Sequence, residues 1–128
     1  MTGVQTCALP IYADAVRAYK SSYAAWYRLR AQMGDAAREE GSFAFIGKVL
    51  ANIGTAYLHQ QAFREAVAYL RCGQELLDRE GDEEASIPRR NLALLRQLLQ
   101  DHGRFEQVWR AGERLYTELR AGPTTLPS

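Results

Sequence analysis

Scarcity says a good deal about this chain of 128 residues. It has two cysteines, Cys7 and Cys72, which make no disulfide framework. Charge of one sign is not in excess. Sixteen basic and 15 acidic residues leave a net charge of +1, which argues against a dedicated nucleic-acid surface. No apolar run approaches the roughly 18 residues that cross a bilayer. There is no glycine-rich phosphate loop, no paired-cysteine motif and no nucleophile elbow. The two histidines, His59 and His102, are not spaced as metal ligands on one helix. Each falls near an expected helix C-terminus, where the helix dipole favours a histidine. With no activating neighbour in sequence, Cys72 reads as a small packing residue. The chain is expected to carry no cofactor, no metal and no catalytic cluster, to stay off membranes and nucleic acid, and to be cytoplasmic.

What is present is ordinary for one globular domain: 47% apolar and 24% charged residues. The organising stretch is 47–78, GKVLANIGTAYLHQQAFREAVAYLRCGQELLD. Leu50, Ile53, Gly54 and Tyr57 fall at the i, i+3, i+4, i+7 spacing of one helical face. After a turn at Gln60, Gln61 and Ala62, the residues Phe63, Ala66, Val67, Leu70, Gly73, Leu76 and Leu77 repeat the pattern. Gly54 and Ala66 are small residues placed mid-helix, which lets two backbones approach at some cost in helix propensity. The pattern predicts a helical hairpin.

The rest of the chain extends it. Tyr12 to Met33 reads as one long helix with Tyr12, Ala15, Tyr19, Ser22, Trp26 and Leu29 on a face. Gly34 is its expected cap, and 35–41 (DAAREEG) a polar connector. Ser42 is a good N-cap for a helix over 43–59. Gly81 ends the second helix of the hairpin, and 81–84 reads as a solvated connector. Ser86-Ile87-Pro88 opens the next helix, with proline tolerated in the first turn. Leu92, Leu95, Leu99 and Phe105 repeat Leu50, Ile53, Tyr57 and Phe63, each 42 positions on. Gly103 marks the turn. Val108, Gly112 and Leu115 continue a last helix to about Arg120, and Gly122-Pro123 opens a polar tail expected to be disordered. In this repeat Arg96 takes the place of Gly54, and Gly112 that of Leu70. The partner helix must accommodate the bulk, or the register must shift.

Leu50, Ile53-Gly54, Tyr57, Phe63, Ala66 and Leu70 resemble the signature of the tetratricopeptide repeat (TPR), without its terminal proline. The 42-residue period exceeds the roughly 34 of the standard repeat and is similar to the longer variety. The resemblance implies an all-α fold of TPR-like antiparallel hairpins in a short right-handed superhelix. It would hold a half repeat at 12–34 and full repeats at 43–80 and 87–120. A second resemblance concerns Thr2–Ile11, TGVQTCALPI, which is similar to the translation of a widely used short-read sequencing adapter. It implies that 1–11 is a disordered, non-native stretch joined to the C-terminal part of a longer protein. The first helix of the first repeat would then be missing. Tyr12, Tyr19 and Trp26 would be left as an uncovered apolar edge, through which the fragment is expected to self-associate.

In TPR-like proteins the first helix of each pair lines a groove that binds an extended peptide or a helix. That places Lys48, Asn52, Thr55, His59, Arg90 and Gln97 as candidate groove residues. Asn52 is similar to an asparagine that longer TPR families set against peptide backbone, and an amide offers both donor and acceptor. Lys48 and Arg90 align at the 42-residue offset and could receive an acidic group. Leu94 replaces Asn52 in the later repeat, with Leu98 beside it. The aromatic residues Trp26, Tyr27, Trp109 and Tyr116 read as packing between repeats, and the arginines as a solvated mixed-charge face. The function expected is a non-enzymatic interaction module. The alternative is the peptide-sensing or dimerising repeat domain of a bacterial helix-turn-helix transcription regulator.

Overall fold

The computed structural model describes the backbone of residues 2–33 and 42–120, with side chains for 13–29, 32 and 44–120. The described residues are all-helical. Five helices follow in order: α1 (Thr2–Met33), α2 (Ser42–His59), α3 (Phe63–Arg79), α4 (Ser86–Asp101) and α5 (Phe105–Arg120). The expected cap at Gly34, the connector at 35–41 and the tail at 122–128 lie outside the described residues.

α2 and α3 form the expected hairpin, and small residues set its spacing. Gly47 lies against Leu76, Leu77 and Gly73, and Gly54 against Leu70, so the helices run antiparallel. A Cβ added to Gly73 would stand 2.7 Å from the Ala51 backbone nitrogen and 2.8 Å from the Gly47 carbonyl oxygen. The two backbones therefore meet with no side chain between them. The apolar faces of both helices close over this seam, burying Leu50, Ile53, Ala66 and Leu70 at 2% exposure or less.

Three helices end in the same way. At Gly81 and Gly103 the backbone turns left-handed (φ 65° and 68°), and at Gln61 it does so at φ 62°. In each, the next two amides fold back onto the last turn. Gly81 N–H donates to the Asp78 carbonyl and Asp82 N–H to that of Leu77; Gly103 and Arg104 pair likewise with Gln100 and Leu99, and Gln61 and Ala62 with Leu58 and Tyr57. These are Schellman caps, which satisfy carbonyls that the helix leaves open. The connector after Gly81 is more ordered than its polarity suggests. Asp82 Oδ1 accepts from Glu84 N–H at 2.8 Å and caps a 3-10 turn over Glu83–Ala85 that leads into α4.

α5 departs from the expected second hairpin. It lies along α3, in the same direction, more than against α4. Gly112 faces Val67 so closely that an added Cβ would come within 2.7 Å of it. Further along, the Tyr116 hydroxyl donates to Glu75, and Arg120 stands 3.5 Å from the same carboxylate. Arg96 explains what happens at α4. Its guanidinium lies 5.4 Å over the Phe105 ring and 5.2 Å over Trp109, which stack on each other. The arginine is exposed and covers these two rings, where Gly54 in the earlier hairpin lies buried against Leu70.

α1 also differs from expectation. It begins at Thr2 rather than Tyr12, so 2–11 is helical where no regular structure was expected. Once a helix is nucleated, each further residue adds a hydrogen bond, and short extensions are favoured over a new start. Nor is its aromatic side an open edge. Tyr23 is buried at 5% exposure, and Tyr19, Trp26 and Tyr27 pack on the cluster around Ile46, Val49, Leu50 and Tyr69. The outward positions carry Asp14, Arg17, Ser21, Ser22 and Arg28, with Leu29 the large apolar exception. Tyr19 and Trp26, expected on an open apolar edge, are thus partly buried, because these rings turn inward onto α2 and α3; the Tyr12 side chain lies outside the described residues. The Tyr23 hydroxyl donates to the Leu119 carbonyl at 3.3 Å, joining α1 to α5. In an open row of repeats, units so far apart along the chain would not touch.

Candidate binding face

The candidate groove residues fall on α2 and α4, which the Thr55–Asn91 contact holds side by side. Thr55 Oγ1 donates to the Ala51 carbonyl at 3.0 Å and accepts from Asn91 Nδ2 at 3.2 Å. Thr55 thus joins the two helices and is half-buried in the joint. Lys48 is likewise engaged within the chain. Its ammonium lies 2.7 Å from Glu84 and 3.8 Å from Asp82, so the 3-10 turn folds back onto α2. The hydrogen bond that Lys48 donates to Glu84, with the fields of both carboxylates, raises the Lys48 pKa. The pairing is exposed, so solvent and salt screen it. It nonetheless offsets one of the two aligned cations expected to meet an acidic ligand. Gln97 donates to Asp101 one turn away on its own helix, at 2.8 Å. Asn52, His59 and Arg90 are exposed.

The same face holds side chains that the sequence reading left out. Phe45 is 56% exposed and Ile87 41%. They too are 42 positions apart, which is the signal that could have found them. Leu94, at 61%, and Leu98, at 38%, complete the set. Two stripes result, at helical spacing: Phe45, Lys48, Asn52, Thr55 and His59 on α2, and Ile87, Arg90, Leu94, Gln97 and Asp101 on α4. Each stripe opens on a large apolar residue followed by a cation. They differ in the middle, where α2 offers the Asn52 amide and α4 the Leu94 isobutyl group. Such a face can bury an apolar side chain and hydrogen-bond a backbone, and it has no activated nucleophile.

Cys72 lies elsewhere, inside the core. Burial pushes its thiol from 9.0 up to about 12, and the Glu75 charge adds to this, so it stays protonated and inert at neutral pH. Burial likewise raises the Tyr116 pKa, helped by the bond to Glu75. Among the described residues no group of three or more histidine, cysteine or acidic side chains is placed to hold a metal ion, and no helix is long and apolar enough to cross a membrane. Compared with known proteins, the chain matches no family model, no curated sequence and no solved structure.

Proposed function

We propose that this chain is a TPR-like interaction module, not an enzyme, that holds a partner peptide or helix across α2 and α4. On this reading α2–α3 and α4–α5 are two units of a short right-handed superhelix and α1 is the half unit before them, drawn in more tightly than an open row because α5 lies along α3 and reaches Tyr23 of α1. One observation carries the functional part. Four of the large apolar side chains left exposed, Phe45, Ile87, Leu94 and Leu98, stand on the helix faces that also carry Asn52, His59 and Arg90. Scattered exposed leucines need no explanation, but an apolar set gathered on one face with polar groups between marks an interaction surface.

Binding would rest on burial and on the amide. Covering Leu94 removes most of a leucine side chain from water, worth roughly 1–2 kcal/mol. The Asn52 amide would meet partner backbone, and Arg90 an acidic group. The test is selection of peptide ligands from a displayed random library against the full chain. Selected peptides should lose about tenfold or more in affinity on Leu94→Glu, and measurably on Asn52→Ala. Ala25→Glu, on the exposed side of α1, should change nothing. Ligands indifferent to Leu94→Glu and Phe45→Asp would refute the assignment of this face.

A further inference from the structure

α4 carries apolar side chains on two faces. Pro88, Leu92, Leu95 and Leu99 are buried in the fold. On the other side Arg90, Leu94, Gln97, Leu98 and Asp101 are all exposed. They fall at i, i+4, i+7, i+8 and i+11, which makes one stripe about three turns long. Two leucines stand in the middle of the stripe, with a cation at its start and an anion at its end. Among the described residues no ion pair engages Arg90, whereas its neighbour Arg89 is held by Asp78 at 2.6 Å. Asp101 accepts from Gln97 at 2.8 Å, which uses one lone-pair site of the carboxylate and leaves others for a guanidinium.

Such a stripe is complementary to itself reversed. About a midpoint between Leu95 and Arg96, position 90 mirrors 101, 94 mirrors 97 and 93 mirrors 98. A second α4 turned end over end therefore brings its Asp101 to Arg90 and its Arg90 to Asp101. Leu94 and Leu98 of both copies lie between these two equal ion pairs. Ala93, exposed and small, faces Leu98 and lets the helices approach. Arg96 is close to the midpoint in sequence but is turned onto Phe105 and Trp109, so like charges do not meet at the axis. This is the isologous contact of a two-fold dimer, in which residue i meets j and j meets i. It also sets the two helix dipoles antiparallel. Parallel pairing would bring Arg90 to Arg90 and Asp101 to Asp101. A uniformly acidic or basic partner helix would satisfy one end of the stripe and oppose the other. The charge pattern therefore favours a second copy.

We propose that α4 pairs antiparallel with α4 of a second copy of this chain. This pairing rests on the reading of α2 and α4 as an interaction face, and it names the helix that the face holds. The stripe is short, and interfaces below roughly 1,200 Å² belong to weak, transient pairs. A dissociation constant of about 10 μM to 1 mM is therefore expected, measured by sedimentation equilibrium of the full chain. Leu94→Glu, at an exposed position, should weaken the dimer about tenfold or more, with circular dichroism confirming that the variant is folded. Arg90→Asp and Asp101→Arg should each weaken it about tenfold, because like charges then meet at both ends. The double variant Arg90→Asp/Asp101→Arg exchanges the two ends and should return to within about threefold of the parent. Ala25→Glu on α1 should change nothing. A chain that stays monomeric at about 1 mM overturns the pairing. So does a dimer that withstands Leu94→Glu, or one that the double exchange fails to restore. Displayed peptides that bind a monomeric chain through Leu94 would sink the pairing and leave the peptide-binding reading standing. A dimer with the expected charge dependence, from which no peptide is selected, would keep the pairing and remove the peptide.

Discussion

Replacing Gly73 by alanine adds one methyl group at the seam between α2 and α3. In an exposed helix interior this change would stabilise, since alanine exceeds glycine in helix propensity by about 0.8–1 kcal/mol. Here the new Cβ would sit 2.7 Å from Ala51 N, 2.8 Å from the Gly47 oxygen and 3.0 Å from Ala51 Cα. All three are backbone atoms, so no rotamer change relieves the clash. The first contact falls roughly 0.7 Å or more inside optimal separation, and the helices must part by about that much. A gap of 0.5–1 Å forfeits about a quarter to a half of each contact along the seam. Leu50, Ile53, Ala66 and Leu70 all lie on it. Overpacking of this kind costs about 1–3 kcal/mol, and with rigid backbone on both sides the upper half applies. After the propensity gain, Gly73→Ala should destabilise by about 1–2 kcal/mol. Urea unfolding followed by circular dichroism measures it. Gly47→Ala is the internal comparison, because its Cβ meets Leu77 Cγ and Leu76 Cβ first, at 2.9 and 3.2 Å, and a backbone atom only at 3.3 Å, so the helices need part less. It should cost less. A Gly73→Ala variant as stable as the parent would show that α2 and α3 are not in backbone contact, and the hairpin geometry argued from the glycines would fall.

Gln61 holds a left-handed conformation that costs a non-glycine residue about 1 kcal/mol. Gln61→Gly should therefore stabilise by up to about that amount, raising the urea midpoint, whereas Gly81→Ala, with open space around it but the same backbone sign, should lower it. The Cys72 thiol titrates near 9.0 when unfolded and near 12 when folded. Above pH 9 the unfolded chain binds fewer protons, so this stabilisation is complete below 9 and is lost as pH climbs toward 12, by about 1 kcal/mol per unit. Unfolding free energies at pH 8 and pH 10 should differ more in the parent than in Cys72→Ala; equal differences would remove the assignment. Burial also raises Tyr69 and Tyr116, so both proteins keep some alkaline loss.

The helical periods, the α2–α3 hairpin and the 42-residue register were legible because each rests on local spacing. Helix ends were legible where glycine marks them, at Gly81 and Gly103. The equivalent cap at Gln61 was not, because its residue type hides a left-handed turn. The placement of α5 was half visible: Gly112 and Arg96 broke the pattern, but which helix α5 would meet depends on side chains distant in sequence. The face proposed on α2 and α4 was chosen from its polar residues, and the same 42-residue register also pairs Phe45 with Ile87. What no spacing reveals is engagement: Lys48 lies with the 3-10 turn, and Thr55 with Asn91. The inward turn of Tyr19 and Trp26 was likewise hidden, because it is set by the helices around them.

The bond from Tyr23 to the Leu119 carbonyl bears on cooperativity. A row of units that touch only their neighbours can fray from either end, each with its own opening free energy. When an early helix holds a late one, neither end can open without exposing the other. Amide protons in α1 around Tyr23 and in the last turns of α5 then exchange through one shared opening. The middle of α1 and the last turn of α5, which in a simple array would open separately, become parts of a single folding unit.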